Sequence, residues 1–133
     1  MKNKILLITL SIILTLSFTG AAIALESPTT RYTYISSTEN YLGINGSGLA
    51  TCSTKIIADS YVDSVNISMY LQKLSGTTWV TVQSWSGSAN GNRLNLYKTQ
   101  YVGSGYQYRL KGVFRAYYNN DSETTTNYNY YFY

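Results

Sequence analysis

After residue 25 the apolar positions recur at every second residue, never at the three- and four-residue spacing of a helix, so the pattern predicts strands throughout. Residues 64–72 show it most cleanly. Val65, Ile67, Met69 and Leu71 share one side, and Asn66, Ser68, Tyr70 and Gln72 share the other. Residues 49–58 set Ala50, Cys52, Thr54 and Ile56 against Thr51, Ser53 and Lys55. Residues 106–116 set Tyr106, Tyr108, Leu110, Gly112 and Phe114 against Gln107, Arg109, Lys111 and Arg115. Weaker alternation predicts strands at 77–85, 93–99 and 123–132, with an edge segment at 32–35. About seven short strands at regular spacing predict an all-β, immunoglobulin- or fibronectin-like antiparallel sandwich.

The breaks between these runs are rich in Gly, Asn and Ser, the residues that turns require. An even loop centred on Ser75-Gly76 opposes Leu71 with Val80 and Met69 with Val82, which puts the apolar residues of both strands on one face. Trp79, Thr81, Gln83 and Trp85 then face the other way, beside Tyr70 and Gln72. Gly105-Tyr106-Gln107-Tyr108-Arg109 resembles the start of strand F in immunoglobulin-like domains, where a Tyr precedes the inward cysteine position by two residues. On that mapping Cys52 takes the strand B position and Tyr108 stands opposite it in place of a second Cys. The plainer reading is that Tyr-x-Tyr recurs in any tyrosine-rich strand.

The N-terminus has a different logic. Lys2 and Lys4 precede an apolar run at 5–18, and Ala22-Ile23-Ala24 supplies the small-x-small spacing of a cleavage site. We expect a signal-peptide helix at 1–24, an N-terminal segment with a possible edge strand at 25–45, and the sandwich domain at 46–133. Without cleavage the uncharged stretch at 5–25 is long enough to act as a membrane anchor. Both readings send the remaining chain out of the cytoplasm. Leu49-Ala50-Thr51-Cys52 lies too far from the apolar run, and carries the wrong residue before Cys52, for a lipoprotein box.

Composition then removes whole classes of chemistry. The 133 residues contain no His and one Cys, which excludes a His-based triad, a histidine metal site and an internal disulfide. Half of the net charge of +4 comes from Lys2 and Lys4, and the small excess that remains makes no nucleic-acid footprint. Asp59 and Asp63 are the best candidates for a glycosidase pair, but two loop acids four residues apart are more often turn-formers. Asp121-Ser122-Glu123 lacks the spacing of a calcium loop. Cys52 lies on the apolar side of its strand, as a buried structural thiol does. No catalytic residue, cofactor or metal ligand is assigned.

The 15 tyrosines and two tryptophans are the informative residues. Trp79 and Trp85 on one half-polar face, about 20 Å apart along the strand, make a stacking platform with Tyr70. Arg109, Lys111 and Arg115 form a basic row that suits an anionic wall polymer, and its plainer reading is a solvated sheet face. The competing reading is that one Trp plugs the core. Leu71-Gln72-Lys73, Trp79-Val80-Thr81-Val82, Trp85 and Tyr106-Gln107-Tyr108-Arg109 together resemble a family of small secreted proteins of unknown function from spore-forming Gram-positive bacteria, over roughly residues 45–118. That resemblance implies no catalytic or binding residue. The expectation is a secreted, extracellular or surface-retained, non-enzymatic module that binds an envelope glycan or protein partner. Membrane contact is expected only through an uncleaved signal segment. The alternative is an exported bacteriocin-like effector acting on other cells.

Overall fold

The computed structural model describes residues 32–133. The expected signal segment lies outside the described residues. Seven strands follow in order: β1 (Ile35–Ile44), β2 (Leu49–Ala58), β3 (Ser64–Ser75), β4 (Thr78–Asn90), β5 (Arg93–Tyr101), β6 (Gln107–Tyr118) and β7 (Asp121–Phe132). The edge strand expected at 32–35 forms later, and β1 pairs with β2 from Ile35 to Ile44. Every pairing is antiparallel. The strands make two sheets, β1-β2-β5 and β4-β3-β6-β7. This is the expected immunoglobulin-like sandwich, with the fourth strand beside the third rather than beside the fifth.

Period-two patterning decides what is buried. Ala50, Cys52, Thr54 and Ile56 of β2 face Val65, Ile67, Met69 and Leu71 of β3 and Tyr108, Leu110, Phe114 and Ala116 of β6 across one core. The hydroxyl of Thr54, the buried polar side chain in this set, lies 3.7 Å from the Met69 sulfur. Gly112 is required by its neighbour: a Cβ there would lie 2.8 Å from the Phe114 ring. Burial pushes the Cys52 thiol up to about 12, so it stays neutral and unreactive.

The turn between β3 and β4 is Gly76-Thr77, with Ser75 opposite Thr78. Gly76 takes φ +63°, which suits the first position of a two-residue hairpin loop. The register is therefore two residues beyond the expected one, with Lys73 rather than Leu71 opposite Val80. Then a bulge intervenes between Leu71 and Gln72, after which Leu71 opposes Gln83 and Met69 opposes Trp85. An extra residue on one strand inverts the facing of everything past it. The expectation that Val80 and Val82 point into the core is corrected, for Val82 by the bulge and for Val80 by its place opposite Lys73, beyond the buried part of β3. Val80 is 48% exposed at the open end of the sandwich, and Val82 is 41% exposed in the bulge.

The resemblance at the start of strand F is also displaced by two residues. Tyr106 is exposed, while Tyr108 is buried and its hydroxyl donates to the Gly103 carbonyl at 2.6 Å. Tyr108 is thus the ring that locks the corner between β5 and β6. The inward position two residues on belongs to buried Leu110, not to Tyr108.

Candidate functional site

The outer face of the four-stranded sheet carries three of the four expected contact residues. Alternation along the paired strands brings Trp79 (β4), Tyr70 and Gln72 (β3), Arg109 (β6) and Tyr128 and Tyr130 (β7) to this side. Trp85 does not join them. The bulge turns it inward against the core, where it packs beside buried Met69. The expected Trp79–Trp85 pair is therefore split: Trp79 serves the surface and Trp85 serves the sandwich.

What assembles instead is a cluster around Arg109. Its guanidinium carbon stands 4.3 Å from the centre of the Trp79 ring and 4.7 Å from that of Tyr128. Trp79 and Tyr130 meet with ring centres 5.9 Å apart, and Tyr128 stacks on Tyr130 at 6.3 Å. β4 and β7 are opposite edges of the sheet, about 14 Å apart at ordinary strand spacing. Their rings nevertheless meet, spanning the middle strands at the level of Gln72 and Arg109. Beneath the rings Arg109 Nε donates to Gln72 Oε1 at 2.7 Å, and Gln72 Nε2 donates to Thr81 Oγ1 at 3.2 Å. Lys111 Nζ lies 5.7 Å from the Tyr70 ring centre. Beside Tyr70 a shallow cleft of about 240 Å³ is walled by Ser68, Ser84 and Ser86, with Trp85 bordering it between the last two. The surface is thus aromatic at one end and hydroxylated at the other.

The acids are elsewhere. In β4, β3, β6 and β7 the only ones are Asp121 and Glu123, which pair with Tyr118 and Ala116 and so share the inner side. At that pole Glu123 accepts from the backbone N–H groups of Thr33, Tyr34 and Ile35 at 2.7–2.8 Å, tying the start of β1 to β7. The Tyr34 hydroxyl donates to Asp121 at 2.7 Å. That bond, with the Ser122 N–H, holds the Asp121 carboxyl below its usual range and raises the Tyr34 phenol. Asp59 accepts from Ser36, and Asp63 accepts from the Asn119 N–H. The Asp59–Asp63 pair considered for glycoside hydrolysis is thus engaged in turn and strand-end bonds. Among the described residues no group of His, Cys, Asp and Glu is arranged to hold a metal.

Tyr128 and Tyr130 were not among the expected contacts. Their signal was present: Tyr128, Tyr130 and Phe132 alternate with Asn127 and Asn129. The adjoining Tyr131 and Tyr133 obscure that alternation. No family model matches the chain, and no curated protein matches it either. A solved structure of R. palustris CsgH is similar to this chain at 12% identity, with a TM-score of 0.41, covering 67% of this chain and 87% of CsgH. Among the described residues no helix is long and apolar enough to cross a membrane.

Proposed function

We propose that the protein is a secreted, non-enzymatic binding module that holds an extended envelope glycan on the outer face of β4-β3-β6-β7. One observation carries the reading: rings from both sheet edges converge on that face, with Tyr128 43% and Tyr130 53% exposed. Aromatic faces stack on the apolar faces of sugars, and flanking hydroxyl and amide groups supply orienting hydrogen bonds. Trp79, Tyr128 and Tyr130 are the stacking surface, and the serine-walled cleft beside Tyr70 is a second contact point along the chain. A flat sheet face without a deep cavity suits a polymer lying across it better than an enclosed small molecule. The non-enzymatic part of the reading is supported by the carboxylates Glu39, Asp59, Asp63, Asp121 and Glu123, each of which already has a structural partner. Secretion rests on Lys2, Lys4, the apolar run and Ala22-Ile23-Ala24.

The test follows tryptophan fluorescence while soluble envelope glycans are titrated into wild type, Trp79→Ala and Trp85→Ala. The expected result is a saturable change that Trp79→Ala abolishes and Trp85→Ala retains in whatever fraction stays folded. If no envelope glycan perturbs either indole, the glycan reading fails.

A further inference from the structure

We infer that the ligand of this face is an anionic saccharide polymer, and that the Arg109 guanidinium grips one of its negative groups. The inference rests on the proposed binding face and names the chemistry it selects. Arg109 is half-buried and held by three partners: its guanidinium lies over the Trp79 and Tyr128 rings, and its Nε donates to Gln72. Its two terminal NH₂ groups have no acceptor among the described residues, and no carboxylate pairs with it. A guanidinium with its stem and Nε already held has lost most of the freedom that binding would cost it, and its remaining donors are matched to a carboxylate or phosphate fork.

Charge on the whole face points the same way. Arg109, Lys111 and Arg115 project from alternate positions of β6, spanning about 20 Å, and no Asp or Glu shares their side of the sheet. The acids of the neighbouring strands are withdrawn to the inner pole, where they serve β1. Like-signed charge over a low-dielectric aromatic surface attracts counter-charge and disfavours neutral competitors by comparison. A row of separated cations fits a chain bearing a negative group at intervals better than one isolated ion. The hydroxyls of Ser68, Ser84 and Ser86, on the same face, suit the sugar hydroxyls of such a chain.

The experiment compares sodium polygalacturonate with its fully methyl-esterified form, the same backbone with and without charge, by calorimetric titration at low salt. Wild type should bind the charged polymer at least about tenfold more tightly, with affinity falling as ionic strength rises. Arg109→Lys keeps the charge but removes the fork and the flat stacking surface, and should lose on the order of tenfold. Lys98→Gln, an exposed change on β5 in the other sheet, removes the same charge and should bind within about twofold of wild type. Circular dichroism confirms that each variant is folded before its titration counts. Equal binding of both polymers overturns the anionic inference while leaving a glycan-binding face in place. Binding of neither polymer, with neutral envelope glycans still bound, overturns it too. Silence towards every glycan removes both readings. Full affinity in Arg109→Lys would mean that charge alone is read and that Arg109 holds no special place.

Discussion

Two regions of this molecule are built from the same residues, and only one leaves anything unspent. At the pole where β1 begins, Tyr61 packs edge to face on Tyr34 and on Tyr118, and Tyr34 lies tilted against Tyr118, with ring centres 5.0–6.2 Å apart. Asp59, Asp121 and Glu123 surround them and take hydroxyl and backbone donors. On the outer face of the four-stranded sheet, Trp79, Tyr128 and Tyr130 gather around a cation instead, and no acid is there to neutralise it. The pole closes on itself and acts as glue. The face keeps donors and aromatic surface available. What separates a structural tyrosine from a contact tyrosine is therefore the sign and the saturation of the polar group beside it, which no count of tyrosines reveals.

The largest test of this contrast is Glu123→Ala. It removes a charged acceptor from three backbone donors and should cost about 2–3 kcal/mol of stability, read by urea unfolding, while polymer binding by the folded fraction is unchanged. A loss of binding with stability intact would mean the pole takes part in recognition. Trp79→Ala should do the reverse. It forfeits one cation–π contact and should cost about 1 kcal/mol of stability, but it should lower polymer affinity on the order of tenfold. If its main effect were on stability, the face would be glue as well.

A smaller test uses pH. Asp121 titrates below its usual range when folded, so its contribution is present above the unfolded carboxylate value and is lost as pH falls below about 4. Tyr34 titrates above its usual range, so its contribution is present at neutral pH and is lost as pH rises beyond about 10. Tyr34→Phe should flatten the slope at both ends, measured as the urea midpoint at about pH 3, 7 and 11. An unchanged profile would uncouple the pair. The smallest effect is expected from Val82→Thr, exposed in the bulge, which should lie within about 0.5 kcal/mol of wild type. A loss of a full kcal/mol or more would return Val82 to the core and with it the unbulged register.

Much of the sandwich was legible because burial acts on a period of two. β2, β3 as far as Leu71 and β6 as far as Ala116 each present an unbroken alternation, and in each the side read as apolar is the side that is buried, with Tyr106, just before β6, the exception at an open end. Tyr70 and Trp79 were legible on one outer face for the same reason, while only the pairing of β6 with β3 brings Arg109 to it. Trp85 was misplaced because a bulge leaves almost no mark in composition: residues 78–90 are mostly Ser, Thr, Gln and Gly, polar enough for either face. An alternation read across such a stretch cannot register the one residue that inverts it. The displaced strand F pattern has a related cause, since two tyrosines at the same spacing differ only in which hydroxyl reaches the Gly103 carbonyl.

The sequence by itself determined the class of fold, the inward faces of three central strands and the absence of histidine chemistry. Each of those follows from residue type and spacing alone. Tertiary structure decided the two facts on which the proposed binding face rests. One is the bulge, set by how β4 pairs with β3 while Gly87 sits so close under Leu96 of β5 that an added Cβ would lie 3.0 Å from it, a constraint between residues of different sheets. The other is the segregation of charge, which arises because Glu123 and Asp121 are drawn to the start of β1, nearly 90 residues away in the chain. Local propensity acts over a few residues and cannot encode such meetings. Only the closed sandwich brings them about, and it leaves Arg109 between two rings with its remaining donors turned to no acid of its own.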